Sequence, residues 1–128
     1  MNATSSKMPD FRILDRPDLP VKRMAAGTRI VVEGGTAAEM FLLKRGRVQI
    51  MLHGKPIEEV SPGGIFGEMA LIDQGPRGAT AMALEDCDVI PVNERLFVEL
   101  VQDSPYFALD VMRTLVRRIR ELDRLLAP

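Results

Sequence analysis

Cysteine and histidine are almost missing from this sequence, with one of each, Cys87 and His53, in 128 residues. A lone cysteine cannot make an internal disulfide framework or a paired-cysteine metal clip, and a lone histidine excludes the multi-histidine clusters of most catalytic metal sites. Net charge is nearly missing too, at −1 from 17 basic and 18 acidic residues. No overall field draws the chain onto nucleic acid or an anionic membrane, so any binding must be local. No run approaches the roughly eighteen apolar residues that a membrane-spanning helix requires. The opening Met1 to Asp10 segment carries one lysine, Lys7, and no apolar stretch behind it, which argues against a signal peptide. A reducing, cytoplasmic setting is expected.

What is present is an ordinary globular composition, 46% hydrophobic and 27% charged. Its length suits a single domain of about 100 to 150 residues with a packed core. Residues 1–17 read as a tail in which Phe11, Ile13 and Leu14 form a short docking helix or turn. Residues 18–92 alternate short Val, Ile, Leu and Met runs with glycine and proline, the pattern of a small all-antiparallel roll. Strands are expected at 28–32, 40–43, 47–52, 56–60, 79–83 and 88–92. Within Arg47 to Leu52 the residues Val48, Ile50 and Leu52 share one face. From 93 the period lengthens. Asn93 caps a helix that carries Leu96, Phe97, Leu100 and Val101 and stops near Asp103. Ser104 and Pro105 then start a long helix with Ala108, Met112, Leu115, Ile119, Leu122 and Leu126 as its apolar stripe, widened by Val111, Val116 and Leu125.

The most informative stretch runs from Phe66 to Ala81, FGEMALIDQGPRGATA. It resembles the phosphate-binding cassette of the cyclic nucleotide-binding domain family. The likeness continues upstream through Val32 to Val48 and Ser61 to Ile65, and downstream into both helices. It implies an α+β fold, an antiparallel β-roll of the jelly-roll or double-stranded β-helix kind, followed by C-terminal helices. It also implies a stand-alone effector domain like that of catabolite activator proteins.

The chemistry of the cassette supports the likeness. A cyclic nucleotide offers one phosphodiester charge, a ribose 2′-hydroxyl and a flat base. Gly67 permits a tight turn, after which the free amides of Glu68, Met69 and Ala70 can meet a phosphate. Arg77 adds a charge-assisted, two-pronged contact. Glu68 accepts from the ribose hydroxyl. Gly78 and Ala79 leave room beside the backbone. The resemblance assigns apolar strand residues to the base wall, and Ile50 and Ile57 are the choices here. Taken alone, Glu68 and Arg77 could equally be a surface ion pair worth about 0 to 1 kcal/mol.

Cyclic AMP is the expected ligand, because the position after the cassette arginine, often Thr or Ser in relatives that favour cyclic GMP, is Gly78. Cyclic GMP is the alternative, and a ligand-independent interaction module with a repurposed pocket is another. The region around Leu122 is apolar, which suggests a hydrophobic lid over the base. No catalytic residue, metal ligand or separate cofactor is expected, and a cupin-type enzyme would need more histidine than this. Arg113, Arg117, Arg118, Arg120 and Arg124 interleave with Asp110, Glu121 and Asp123 and read as a solvated face or a salt-bridged dimer edge. Nucleic acid is not an expected partner, because the chain stops before a helix-turn-helix could follow; Met1 suggests a complete small protein. The signal is expected to leave through helix 105–126, to a second copy of the chain or an effector protein. His53 is expected in a hairpin turn and Cys87 as a small buried residue.

Overall fold

The glycine-punctuated runs form eight strands and the longer-period segments form three helices in the computed structural model, which describes residues 16–36, 38–73 and 76–126. The strands are β1 (Lys22–Met24), β2 (Arg29–Val31), β3 (Met40–Arg45), β4 (Val48–Leu52), β5 (Lys55–Val60), β6 (Ile65–Phe66), β7 (Thr80–Ala83) and β8 (Cys87–Val92). The helices are α1 (Glu68–Asp73), α2 (Glu94–Asp103) and α3 (Pro105–Leu126). Two four-stranded antiparallel sheets result, ordered β1-β8-β3-β6 and β2-β7-β4-β5. This is the expected β-roll with C-terminal helices. The docking segment around Phe11, Ile13 and Leu14 lies outside the described residues.

Strand alternation divides the core in two. Along β3, Phe41 and Leu43 point into the roll with Val48, Ile50, Phe66 and Val89. Met40 and Leu42 point the other way, joining Ile90, Val92, Leu100, Phe107 and Val111 beneath the helices. A strand buried on both faces reads as a continuous apolar run, as Met40 to Leu43 does. Leu71 of α1 belongs to the helix-side cluster, so the cassette shares a core with α2 and α3.

Two strands escaped the sequence pattern. β1 is Lys-Arg-Met and mostly exposed, and β6 has only two residues. Local cues elsewhere hold. Asn93 accepts a hydrogen bond from the amide of Leu96 at 2.9 Å and caps α2. His53 (φ +52°) and Gly54 (φ +78°) make the β4–β5 hairpin turn, and Cys87 is buried.

The expected stripe of α3 is out of phase with the observed one. Phe107, Val111 and Thr114 are buried and Leu115 packs beside them, whereas Met112, Val116, Ile119 and Leu126 face outward. Apolar residues occupy more than one side of α3, and the side turned inward is the one that carries Phe107 and Val111. Thr114, buried on that side, satisfies its hydroxyl within the helix, donating to the Asp110 carbonyl at 3.0 Å. Among the described residues no helix is long and apolar enough to cross a membrane.

Candidate functional site

Strand β6 ends at Phe66, and Gly67 turns the chain into α1 with φ +75°. A side chain at that position would strain the backbone, and its Cβ would come within 2.9 Å of Arg77 Nη1. The turn instead presents the Gly67 carbonyl, which accepts a hydrogen bond from Arg77 Nη1 at 2.9 Å. The main chain of Arg77 is fixed by two more bonds: Gly34 N donates to its carbonyl and its own amide donates to Gly35 O, both at 2.8 Å. The guanidinium stands 5.9 Å from the centroid of the Phe41 ring, which is itself stacked on Phe66 at 5.2 Å.

Arg77 is thus only 6% exposed, yet among the described residues it has no carboxylate at ion-pair distance. Burial lowers its pKa, and the more distant charges of Glu39 and Glu68 only partly offset that. Glu68 is 3% exposed and pairs with Arg118, not with Arg77. The surface ion-pair reading of these two residues is therefore excluded.

Both groups open onto one cavity of about 220 Å³ between the roll and α3. Every residue singled out from the sequence lines it: Gly67, Glu68, Met69, Ala70, Arg77, Gly78 and Ala79 from the cassette, with Ile50 and Ile57 on the wall. Val31, Leu52, Phe66 and Ala81 complete an apolar lining, and Leu122 of α3 lies at its mouth with Glu121. Thr80 also lines the cavity; its hydroxyl oxygen accepts from the amide of Glu33 at 3.0 Å and keeps its own proton to donate. Among the described residues, no three or more His, Cys, Asp and Glu side chains are grouped as a metal would need.

Two further residues belong to the site and were not anticipated, Glu58 and Arg118. Far from lying on a solvated face or a dimer edge, the Arg118 side chain is turned inward. Its Nη1 meets Glu68 Oε1 at 2.7 Å, its Nε meets Glu58 Oε1 at 2.9 Å, and its Nη2 reaches Ile65 O at 2.6 Å and Glu58 Oε2 at 3.3 Å. Arg117 Nη1 adds a contact to Glu58 Oε2 at 3.0 Å. Burial alone would raise the Glu58 pKa, but the hydrogen bonds and charges of Arg118 and Arg117 outweigh it and hold the carboxyl below its usual range. Burial likewise works against the charge on Arg118, and Glu68 and Glu58 more than compensate.

Spacing carried a signal for Arg118, since 107, 111, 114 and 118 follow one helical face in steps of four, three and four. Glu58 was hidden by a register shift. Ile50 pairs with Glu58 while Met51 pairs with Pro56, so Ile57 is an extra residue on β5. Such a bulge lets neighbours that should alternate, Ile57 and Glu58, line the same space.

A family model described as the cyclic nucleotide-binding domain matches residues 21–104. Among curated proteins, the Cyclic AMP receptor protein of Thermus thermophilus is 31% identical over 102 residues, which is 76% of this chain and 47% of that protein. The Pycsar effector protein XpPycTIR of Xanthomonas perforans is 33% identical over 101 residues, 78% of this chain and 33% of that protein. Among solved structures, the Thermus thermophilus Catabolite Activator Protein superposes with a TM-score of 0.74 at 28% identity, covering 84% of this chain and 53% of the other. The chain thus spans about half the length of the first of these relatives.

Proposed function

Because this chain belongs to the cyclic nucleotide-binding domain family, we propose that its cavity takes a cyclic nucleotide, cyclic AMP ahead of cyclic GMP, and that occupancy is signalled through α3. The observation that carries this reading is the Arg77 guanidinium, buried beside an apolar cavity and, among the described residues, held by a carbonyl and an aromatic face with no carboxylate at ion-pair distance. A buried cation without a counter-ion is costly, and an anionic ligand removes that cost. The phosphate would lie against Arg77 and the first amides of α1, the ribose hydroxyl against Glu68, and the base along Ile50 and Ile57 beneath Leu122. Gly78, the position directly after the cassette arginine, has no hydroxyl with which to favour guanine. One missing hydrogen bond changes discrimination by about 1 kcal/mol, so the preference for cyclic AMP is a matter of degree.

For signalling, the ligand must bind one position of α3 better than another, because equal affinity for both shifts nothing. Two connections support such coupling. Leu71 belongs to the same hydrophobic cluster as Phe107 and Val111, and Arg118 joins α3 to Glu68. The outer face of α3 is the outlet, either to a second copy of the chain or to an effector. Calorimetric titration with cyclic AMP, cyclic GMP and 5′-AMP tests the reading. Cyclic AMP should bind most tightly and 5′-AMP least; no binding of either cyclic nucleotide would refute it.

A further inference from the structure

Arg118 presents a fork that could grip either of two carboxylates, and how it is shared between them decides what Glu68 can offer. Its Nε and Nη2 edge faces Glu58, Nη2 donates as well to Ile65 O, and Nη1 alone meets Glu68 Oε1. Among the described residues Glu68 Oε2 has no hydrogen-bond partner, and Glu68 lines the cavity. Glu58 is itself pinned from outside by Arg117. Guanidinium and carboxylate prefer the two-pronged arrangement wherever geometry permits, and a largely buried guanidinium that loses one partner seeks another. Without Glu58, Arg118 keeps Ile65 O and Glu68 Oε1 as partners, and the second oxygen of Glu68 is the acceptor toward which the guanidinium can pivot.

We propose that Glu58 is a positioning residue for sugar recognition: by occupying the fork of Arg118 it keeps one oxygen of Glu68 open to the ribose 2′-hydroxyl. This rests on the reading of Glu68 as the ribose acceptor. Glu58 itself need not touch the ligand. Its loss converts a shared arginine into a competitor for the acceptor, so the effect falls on the sugar hydroxyl and spares the phosphate.

The test compares cyclic AMP with its 2′-deoxy analogue by calorimetry on the native chain and on Glu58→Gln, which keeps the size of the side chain while removing its charge. The native chain should favour the ribose ligand about tenfold or more, as expected for a hydrogen bond to a charged acceptor. In Glu58→Gln that preference should fall to about threefold or less, with the ribose ligand losing more affinity than the deoxy analogue. Glu58→Asp, which restores the charge on a shorter arm, should recover part of the preference and provides the test should Glu58→Gln fold poorly. An undiminished preference, or equal weakening of both ligands, overturns the proposal while leaving the site assignment intact. Failure of the native chain to bind either ligand would instead defeat the underlying reading of the cavity.

Discussion

At the scale of single residues, the site is organised around how Arg77 is held. Its backbone is bonded to Gly34 and Gly35, its side chain to Gly67 O, and its charge rests over Phe41. Arg77→Ala removes the only guanidinium facing the proposed phosphate position from the cassette side. It should weaken cyclic AMP binding by about 2 to 5 kcal/mol in calorimetry, with 5′-AMP and cyclic AMP becoming harder to tell apart. Gly67→Ala should act one step earlier. It places a side chain at φ +75° and within 2.9 Å of Nη1, so stability should fall by about 1 to 2 kcal/mol in thermal melts and affinity should drop with it. Both residues were legible because the stretch Phe66 to Ala81 resembles a known phosphate-binding cassette, in which the chemistry of a glycine turn and a following arginine makes sense; taken alone, Arg77 and Glu68 did not exclude a surface ion pair. Glu58 and Phe41 were not legible. Their roles depend on a bulge and on which strand lies across the roll, and neither is written in neighbouring letters.

Among the elements, α3 is the one whose reading from sequence was partly wrong. The helix and its Pro105 start were evident from period and capping chemistry. The buried side was not, since apolar residues occur around much of the circumference and a half-buried Arg118 turned toward the roll breaks the rule that charge faces water. On the buried side Phe107 and Val111 join the core, and Arg118 meets Glu58 and Glu68, two carboxylates contributed by β5 and α1. That pairing gives α3 a pH dependence. The Glu58 pKa is depressed below its ordinary 4.5 in the folded chain. Its contribution to stability is therefore complete above that ordinary value and is lost as pH falls through the depressed one. Thermal melts across pH 3 to 7 should show stability declining on the acid side, and Glu58→Gln should flatten that limb. An acid limb of equal steepness in the variant would show that other carboxylates dominate it.

Over the whole molecule, the sequence conveyed the roll well because glycine turns and alternating runs repeat at close spacing, and many weak local cues agreed. The pairing order β1-β8-β3-β6 was beyond it, since first and last strands meet only through the closed fold. Completed, that fold leaves Leu109, Met112, Val116 and Ile119 exposed on α3, in steps of three, four and three. This is the spacing of a two-helix seam. If the outlet is a second copy, sedimentation should give a dimer for the native chain and a monomer for Val116→Asp, with cyclic AMP still bound; a native monomer would direct the search to an effector. The deep anchorage of Phe107 and Val111 has one more consequence. They form a fulcrum, with Arg118 about 14 Å along the rod and Leu126 about 26 Å along it, at 1.5 Å rise per residue. On the proposed function, a swing that moved Arg118 by about 1 Å would carry the tip by about 2 Å, so the length of the rod alone would enlarge a small adjustment beside the cavity into a longer stroke at the far end.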